Sequence, residues 1–150
     1  MAQFKISTFI NRPIEIVYQA FVDPDNMLKW TKDLESYEIV KGKFGEIGAT
    51  IHLHYNHRGH KYVMVDKLEY LDPGKTIKSR VIGGGLNACV ESTFIPKNNE
   101  TELIMLWNGK WNNIIVTLIL AILKKRIKKG AKSELNKFKE LVEKYGAKFD

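Results

Sequence analysis

The sequence predicts a single α+β domain in which an antiparallel sheet, about seven strands wide, is closed by one long C-terminal helix. Three observations carry this. Apolar residues recur at helical spacing through residues 113–145. Alternating segments punctuated by Gly, Pro, Asn and Asp turns fill residues 34–111. A strand and two short helices joined at a proline precede them. At 150 residues the chain is long enough to bury one substantial core, so one domain is expected over 1–150.

Residues 3–10 alternate as a strand, with Phe4, Ile6 and Thr8 on one face. Asn11 suits the cap of a helix whose first turn contains Pro13, and Ile14, Val17, Tyr18 and Phe21 then repeat at helical spacing. Asp23-Pro24 breaks that helix and starts a second through Met27, Leu28 and Trp30. Strands follow over 36–41, 50–56, 62–71, 76–82, 88–96 and 101–111. The links between them are glycine-bearing (42–48), His57-Arg58-Gly59-His60, Asp72-Pro73-Gly74-Lys75, the span 83–87, and Asn98-Asn99. Ile51, Leu53 and Tyr55 face one way, His52 and His54 the other, and Tyr62, Met64, Asp66, Leu68 and Tyr70 share a face.

The long helix has two characters. At 100° per residue, Val116, Leu120, Leu123, Ile127, Ala131, Leu135, Phe138, Val142 and Tyr145 form one stripe, the core-facing side. Its first turns carry a second apolar face, Ile115, Leu118, Ile119 and Ile122, which continues as Arg126, Lys129, Ser133 and Lys137. Such a helix suits a lid over something hydrophobic.

With 44% hydrophobic and 27% charged residues, the composition is that of a globular protein, not a disordered one. The net charge of +7 is concentrated in Lys124-Lys125-Arg126-Ile127-Lys128-Lys129 and in Lys132, Lys137 and Lys139. It is either a solvated helix face or a surface for anions. No nucleic-acid motif and no interleaved exposed aromatics accompany it, so a nucleic-acid partner is not expected. The apolar face beside the basic run fits an anionic membrane surface, its own domain's loops, or a second subunit in a homodimer. One cysteine, Cys89, leaves no internal disulfide and fits a reducing compartment. No secretory leader is read at the N-terminus, and the apolar run 114–123 is about half a membrane span. A cytoplasmic protein, at most peripheral to a membrane, is expected.

Few residues suggest chemistry. His52, His54, His57 and His60 lie close together, but the strand pair points away from the apolar face, so surface histidines are expected and no metal. Gly83-Gly84-Gly85 lacks the lysine and Ser/Thr of a phosphate loop, and no cofactor is expected. Cys89 is read as a small strand residue. Asp66 interrupts an apolar face and is the one weak catalytic candidate. If that face lines a cavity, its carboxyl would be desolvated and its proton affinity raised, as general acid–base work requires. A bulge turning it outward, or a partner such as Arg80, is the competing reading.

The stretch Asn11-Arg12-Pro13-Ile14-Glu15-Ile16-Val17-Tyr18, on through Asp23-Pro24 to Trp30, resembles the opening of the START/Bet v 1-like superfamily, in particular its polyketide cyclase/dehydrase-like branch. The turn Leu71-Asp72-Pro73-Gly74-Lys75, the closing strand from Thr101 and the long terminal helix fit it too. The resemblance covers the whole chain. It implies a helix-grip fold, a curved antiparallel sheet wrapped around the C-terminal helix with a cavity between them. Trp30, Tyr55, Tyr62, Met64, Phe94, Trp107, Trp111, Leu120, Leu123 and Ile127 would line that cavity. The expected function is binding or carriage of a hydrophobic small molecule (lipid, isoprenoid or polyketide-like). The alternatives are a cyclase/dehydrase-like enzyme using Asp66 or a cavity tyrosine, and an interaction protein using the outer helix face.

Overall fold

The computed structural model describes residues 2–111 and 120–150, side chains 2, 120, 121 and 123 excepted. The elements are β1 (Ala2–Ile10), α1 (Ile14–Val22), α2 (Pro24–Trp30), β2 (Leu34–Lys41), β3 (Thr50–His57), β4 (His60–Asp72), β5 (Thr76–Gly83), β6 (Leu86–Lys97), β7 (Glu100–Trp111) and α3 (Leu120–Tyr145). The seven strands form one antiparallel sheet in the order β1-β7-β6-β5-β4-β3-β2. The first strand thus pairs with the last, and everything between is hairpins. Local turn chemistry does much of this work. Arg58 and Gly59 (φ 52° and 89°), and Gly84 and Gly85 (φ 57° and 83°), are two-residue loops with both centres left-handed. That geometry matches the twist of the flanking strands. Both turns are tighter than the spans 57–60 and 83–87 expected, because β3, β4, β5 and β6 run closer to them.

Register decides which side chains face α3. Directly paired residues share a face, and Phe4 of β1, Trp107 of β7, Val90 of β6 and Ser79 of β5 form one such row. Bulges between Leu34 and Ser36, Ile39 and Lys41, and Leu68 and Tyr70 curve the sheet. The β4 bulge comes after Asp66, so Asp66 stays in step with Met64 and Leu68 on the concave face. Tyr70, expected on that face, is turned out and is 47% exposed.

The core sits where α3 crosses β1 and α1. Leu135, Phe138 and Val142 are buried against Phe4, Ile6, Ile10, Val17, Phe94 and Leu103. Ile127 and Ala131 are half-buried along the same stripe, while Tyr145 is exposed where the helix ends at Gly146. The expected outer face of Ile115, Leu118 and Ile119, with Val116 of the stripe, lies outside the described residues. Ile122 is described and is 66% exposed.

One capping expectation is corrected. Pro13, not Asn11, occupies the cap of α1, and no side chain closes it. Asn11 is drawn off because its backbone N–H donates to the Glu143 carboxylate at 2.7 Å. Asp23 caps α2, accepting from the N–H groups of Asp25 (2.9 Å) and Asn26 (3.4 Å).

Candidate ligand-binding groove and the Asp66 cavity

The space between sheet and helices holds two cavities. The larger is a groove of about 400 Å³ between the concave face and α3. Its apolar walls are Trp30, Met64, Val81, Leu86, Met105, Trp107, Ile127 and Ala131, and Tyr55 and Tyr62 close one side. Strand alternation places Tyr55, Tyr62, Met64, Met105 and Trp107 here, since each lies at an inward position of its strand. The rings are held by their neighbours. Tyr55 and Tyr62 stack at 5.0 Å and 3°, and Phe4 stacks on Trp107 at 5.5 Å and 10°.

Six of the ten expected lining residues meet in this groove: Trp30, Tyr55, Tyr62, Met64, Trp107 and Ile127. Phe94 does not. It is 2% exposed and packs edge-on against Tyr18 and Phe21, as core. Trp111 sits at the last position of β7, opposite Leu86, beyond the groove's lining. The side chains of Leu120 and Leu123 lie outside the described residues.

The groove has a polar end that sequence reasoning missed, built on Glu134. Glu134 stands seven residues after Ile127 and four before Phe138, on the azimuth of the apolar stripe. That placement was readable, but only by asking which polar residue intrudes among the apolar ones. Its Oε1 accepts the backbone N–H of Lys32 at 3.2 Å. Burial raises its pKa to about 7, with Asp33 adding to the rise and the Lys32 N–H and ammonium opposing it. Tyr55 is pushed well above the usual phenol range, first by burial and then by Glu134, Tyr62 and Asp66, so its hydroxyl remains a donor. Trp30 Nε1 is buried with no acceptor among the described residues. The groove therefore joins apolar walls to a polar set, Lys32, Asp33, Tyr55, Tyr62 and Glu134, able to orient an occupant.

The second cavity, about 250 Å³, lies toward α1 and α2 and contains Asp66. Tyr18, Phe21, Val22 and Met27 form one wall, Ile51, Leu68, Leu71, Ile77 and Ser79 the sheet side, and Phe44 with Gly45 the loop side. Phe21 of this cavity touches Trp30 of the groove (centroids 5.8 Å apart), and both meet Phe138, so an aromatic cluster stands between the two spaces. Asp66 points inward, as the cavity reading required. Burial lifts its pKa to about 6, and a hydrogen bond from Ser79 limits the rise. Arg80 is no partner for it: it faces the other way and is held by Glu69 (3.0 Å) and Asn87 (2.7 Å).

The histidines face out. His52 and His54 share Glu38 at 3.8 and 3.4 Å, and His57 meets Asp33 at 2.8 Å. Cys89 lies half-buried on the convex face, across from Arg80 and Asn108. On the far side of α3 a third, open cleft of about 680 Å³ runs along β1 and is lined by Lys5, Lys125, Lys128, Lys129 and Lys132. Lys132 Nζ donates to the Ser7 carbonyl there. Among the described residues no helix is long and apolar enough to cross a membrane.

A seven-stranded curved sheet gripping a long C-terminal helix, with a cavity between, defines a helix-grip protein of the START/Bet v 1-like class. The family profile for polyketide cyclase / dehydrase and lipid transport matches residues 1–143, and the chain belongs to that family. No curated protein matches it. Among solved structures, a conserved protein of Geobacillus kaustophilus superposes with a TM-score of 0.81 at 15% identity, covering 97% of each chain. The ZhuI aromatase/cyclase of Streptomyces sp. R1128 gives 0.73 at 14% identity, over 92% of this chain and 91% of its own. Ara h 8.0201 gives 0.74 at 14% identity, over 93% and 96%. At these identities the likeness is one of fold.

Proposed function

We propose that this protein binds and carries a hydrophobic small molecule (a lipid, isoprenoid or polyketide-like compound) in the groove between the sheet and α3. The observation that carries this reading is the groove itself, about 400 Å³, its apolar walls Trp30, Met64, Met105, Trp107 and Ile127 joined by a charged set of Lys32, Asp33 and Glu134. Burying a ligand's apolar surface there is worth about 25 cal/mol per Å² before the costs of ordering. Tyr55 and Glu134 would orient whatever polar group the ligand has. The family's description, which joins polyketide chemistry to lipid transport, supports an apolar occupant.

Native mass spectrometry of protein purified without detergent, followed by organic extraction, tests the reading. A discrete co-purifying apolar molecule is expected. A clean unliganded mass that persists after incubation with mixed lipids and isoprenoids would overturn it.

Two companion readings rest on other observations. An enzyme of the cyclase/dehydrase kind is supported by the inward carboxyl of Asp66. Loss of turnover of a hydrophobic substrate in Asp66→Asn, with binding retained, would favour it. Docking on an anionic membrane from a cytoplasmic location is supported by the five-lysine cleft, four of whose lysines share α3 with the exposed Ile122.

A further inference from the structure

The Asp66 cavity differs from the groove in its charge as well as its size. Asp66 is the one carboxyl that lines it, and among the described residues no lysine, arginine or histidine does. Lys67, next in sequence, alternates to the convex face, and Arg80 is committed to Glu69 there. The partner Asp66 does have is the Ser79 hydroxyl, which has one proton to give. An ionised carboxylate accepts up to about four hydrogen bonds, so most of its capacity is unused. A buried charge without a counter-ion is costly, and a ligand that brings the opposite charge removes that cost.

We propose that this cavity is a recognition site for a small aromatic primary amine, its ammonium paired with Asp66 and its ring among Tyr18, Phe21 and Phe44. A neutral hydroxyl would satisfy one acceptor site and leave the charge unbalanced. An ammonium supplies three donors and the counter-charge together, in a cavity whose low dielectric strengthens the pair. The aromatic walls serve both ends of such a ligand, packing on its ring and offering π-faces to the cation. A volume of about 250 Å³ suits a single ring with a short chain and excludes a long-chain lipid.

One side of the site is a loop. Phe44 and Gly45 belong to the β2–β3 connection, whose Gly42, Gly45 and Gly48 all have positive φ (72°, 86° and 91°). Side chains with a Cβ rarely adopt that region, so the loop's path depends on glycine.

Binding should follow the titration of Asp66. Asp66 has Ser79 of β5 and Ile51 of β3 beside it, and Tyr18 of α1 and Met27 of α2 line the cavity with it. Lys43 and Glu46 flank Phe44 in the loop, Tyr55 lies within electrostatic reach, and no described residue of α3 lines the cavity. With Asp66 at about 6, the carboxylate form is present at pH 7.5 and lost by pH 4.5.

The test is equilibrium dialysis of the intact protein against 2-phenylethylamine, 2-phenylethanol and 3-phenylpropionate at pH 7.5, with amide shifts mapped by NMR. The amine is expected to bind at least tenfold more tightly than the alcohol, and the propionate most weakly. The amine's advantage should fall to near one in Asp66→Asn, and also in the unaltered protein at pH 4.5, an arm that needs no variant. Shifts should centre on Phe44, Asp66 and Ser79. An amine no tighter than the alcohol, a preference that survives Asp66→Asn, or shifts centred on Trp107 in the groove would each overturn the proposal. The last outcome would leave the groove reading standing.

Discussion

The carboxamide of Asn26 and the backbone of Phe149, 123 residues apart in sequence, are joined by a 2.9 Å hydrogen bond in the buried interior. The same side chain donates to the carbonyls of Ala147 (2.8 Å) and Ala20 (3.1 Å). One asparagine therefore ties α1, α2 and the segment after α3 together, and lets Phe149 pack at 6.0 Å from Phe138. Asn26→Ala would strand two carbonyls and an N–H in a dry site. We expect a loss of about 2–4 kcal/mol in urea unfolding. Asn26→Asp should cost at least as much, because a carboxylate cannot donate to the two carbonyls. A change below about 0.5 kcal/mol in either variant, the noise of an ordinary surface substitution, would refute this role.

Asp66 gives a pH dependence of definite sign. Its pKa rises from 3.8 unfolded to about 6 folded, so between these values the native state holds more protons than the unfolded one. Stability from this group is complete below pH 3.8 and falls as pH rises toward 6, by up to about 3 kcal/mol. Above pH 6 the cost is constant. Asp66→Asn should therefore raise the melting temperature at pH 7.5 and flatten its slope between pH 4 and 6. A lower melting temperature at pH 7.5 would contradict the assignment.

Much of this architecture was legible because local and long-range signals agreed. Arg58-Gly59 and the Gly84-Gly85 pair are turns by backbone chemistry, and Leu135, Phe138 and Val142 are core by helical period. Strand alternation set Tyr55 beside Ile51 and Leu53 and put Tyr62 on the face of Met64, while a cavity under those faces, with Trp107 in its wall, came from the family resemblance. What failed depended on facts that alternation does not encode. The bulge between Leu68 and Tyr70 reversed Tyr70, and the cap at Asn11 yielded to Glu143 from the other end of the chain. Phe94 has the right parity for the groove, but α1 crosses the sheet at that height and buries it beneath Tyr18 and Phe21. Glu134 was overlooked for a different reason: a search for apolar stripes discards the polar residue that shares the azimuth. The division into two cavities by Phe21, Trp30 and Phe138 has no sequence signature, since it arises from three elements meeting.

Two glycines should respond oppositely to alanine. At Gly130, on α3 beside the groove, an added Cβ meets nothing within 4 Å. Gly130→Ala removes backbone freedom from the unfolded chain and should stabilise by about 0.5–1 kcal/mol. At Gly83, the Cβ would fall 2.5 Å from Met64 Sδ and 3.0 Å from the Val63 carbonyl oxygen. Gly83→Ala must displace the Met64 side chain from the groove wall. It should destabilise by about 1–3 kcal/mol and weaken groove binding as well. Thermal melts of the pair, with opposite signs, check both; equal signs would refute the packing difference.

Filling the groove should separate binding from folding. Ala131 lines the groove from α3, half-buried where the groove meets the core. Ala131→Phe is expected to leave stability within about 1 kcal/mol, since the ring enters unoccupied space. Affinity for a groove ligand should fall at least tenfold, while 2-phenylethylamine binding at Asp66 stays as before. Unchanged affinity for the apolar ligand recovered by extraction would place that ligand elsewhere.

The lysine cleft predicts a salt-dependent membrane interaction. Lys5, Lys125, Lys128, Lys129 and Lys132 converge on one open space, and among the described residues none of the five forms an ion pair with a carboxylate. Each basic residue held near an anionic bilayer surface contributes about 1 kcal/mol. Changing Lys125, Lys128 and Lys129 together to Gln should then cost about two orders of magnitude in the partition coefficient. Co-sedimentation with vesicles rich in phosphatidylserine measures this, with phosphatidylcholine vesicles as the uncharged comparison. Binding should weaken as salt rises, because the contacts are exposed and screened over about 8 Å at physiological ionic strength. Equal binding to both vesicle types, or a triple variant that binds as the parent does, would reduce the cleft to a solvated helix face.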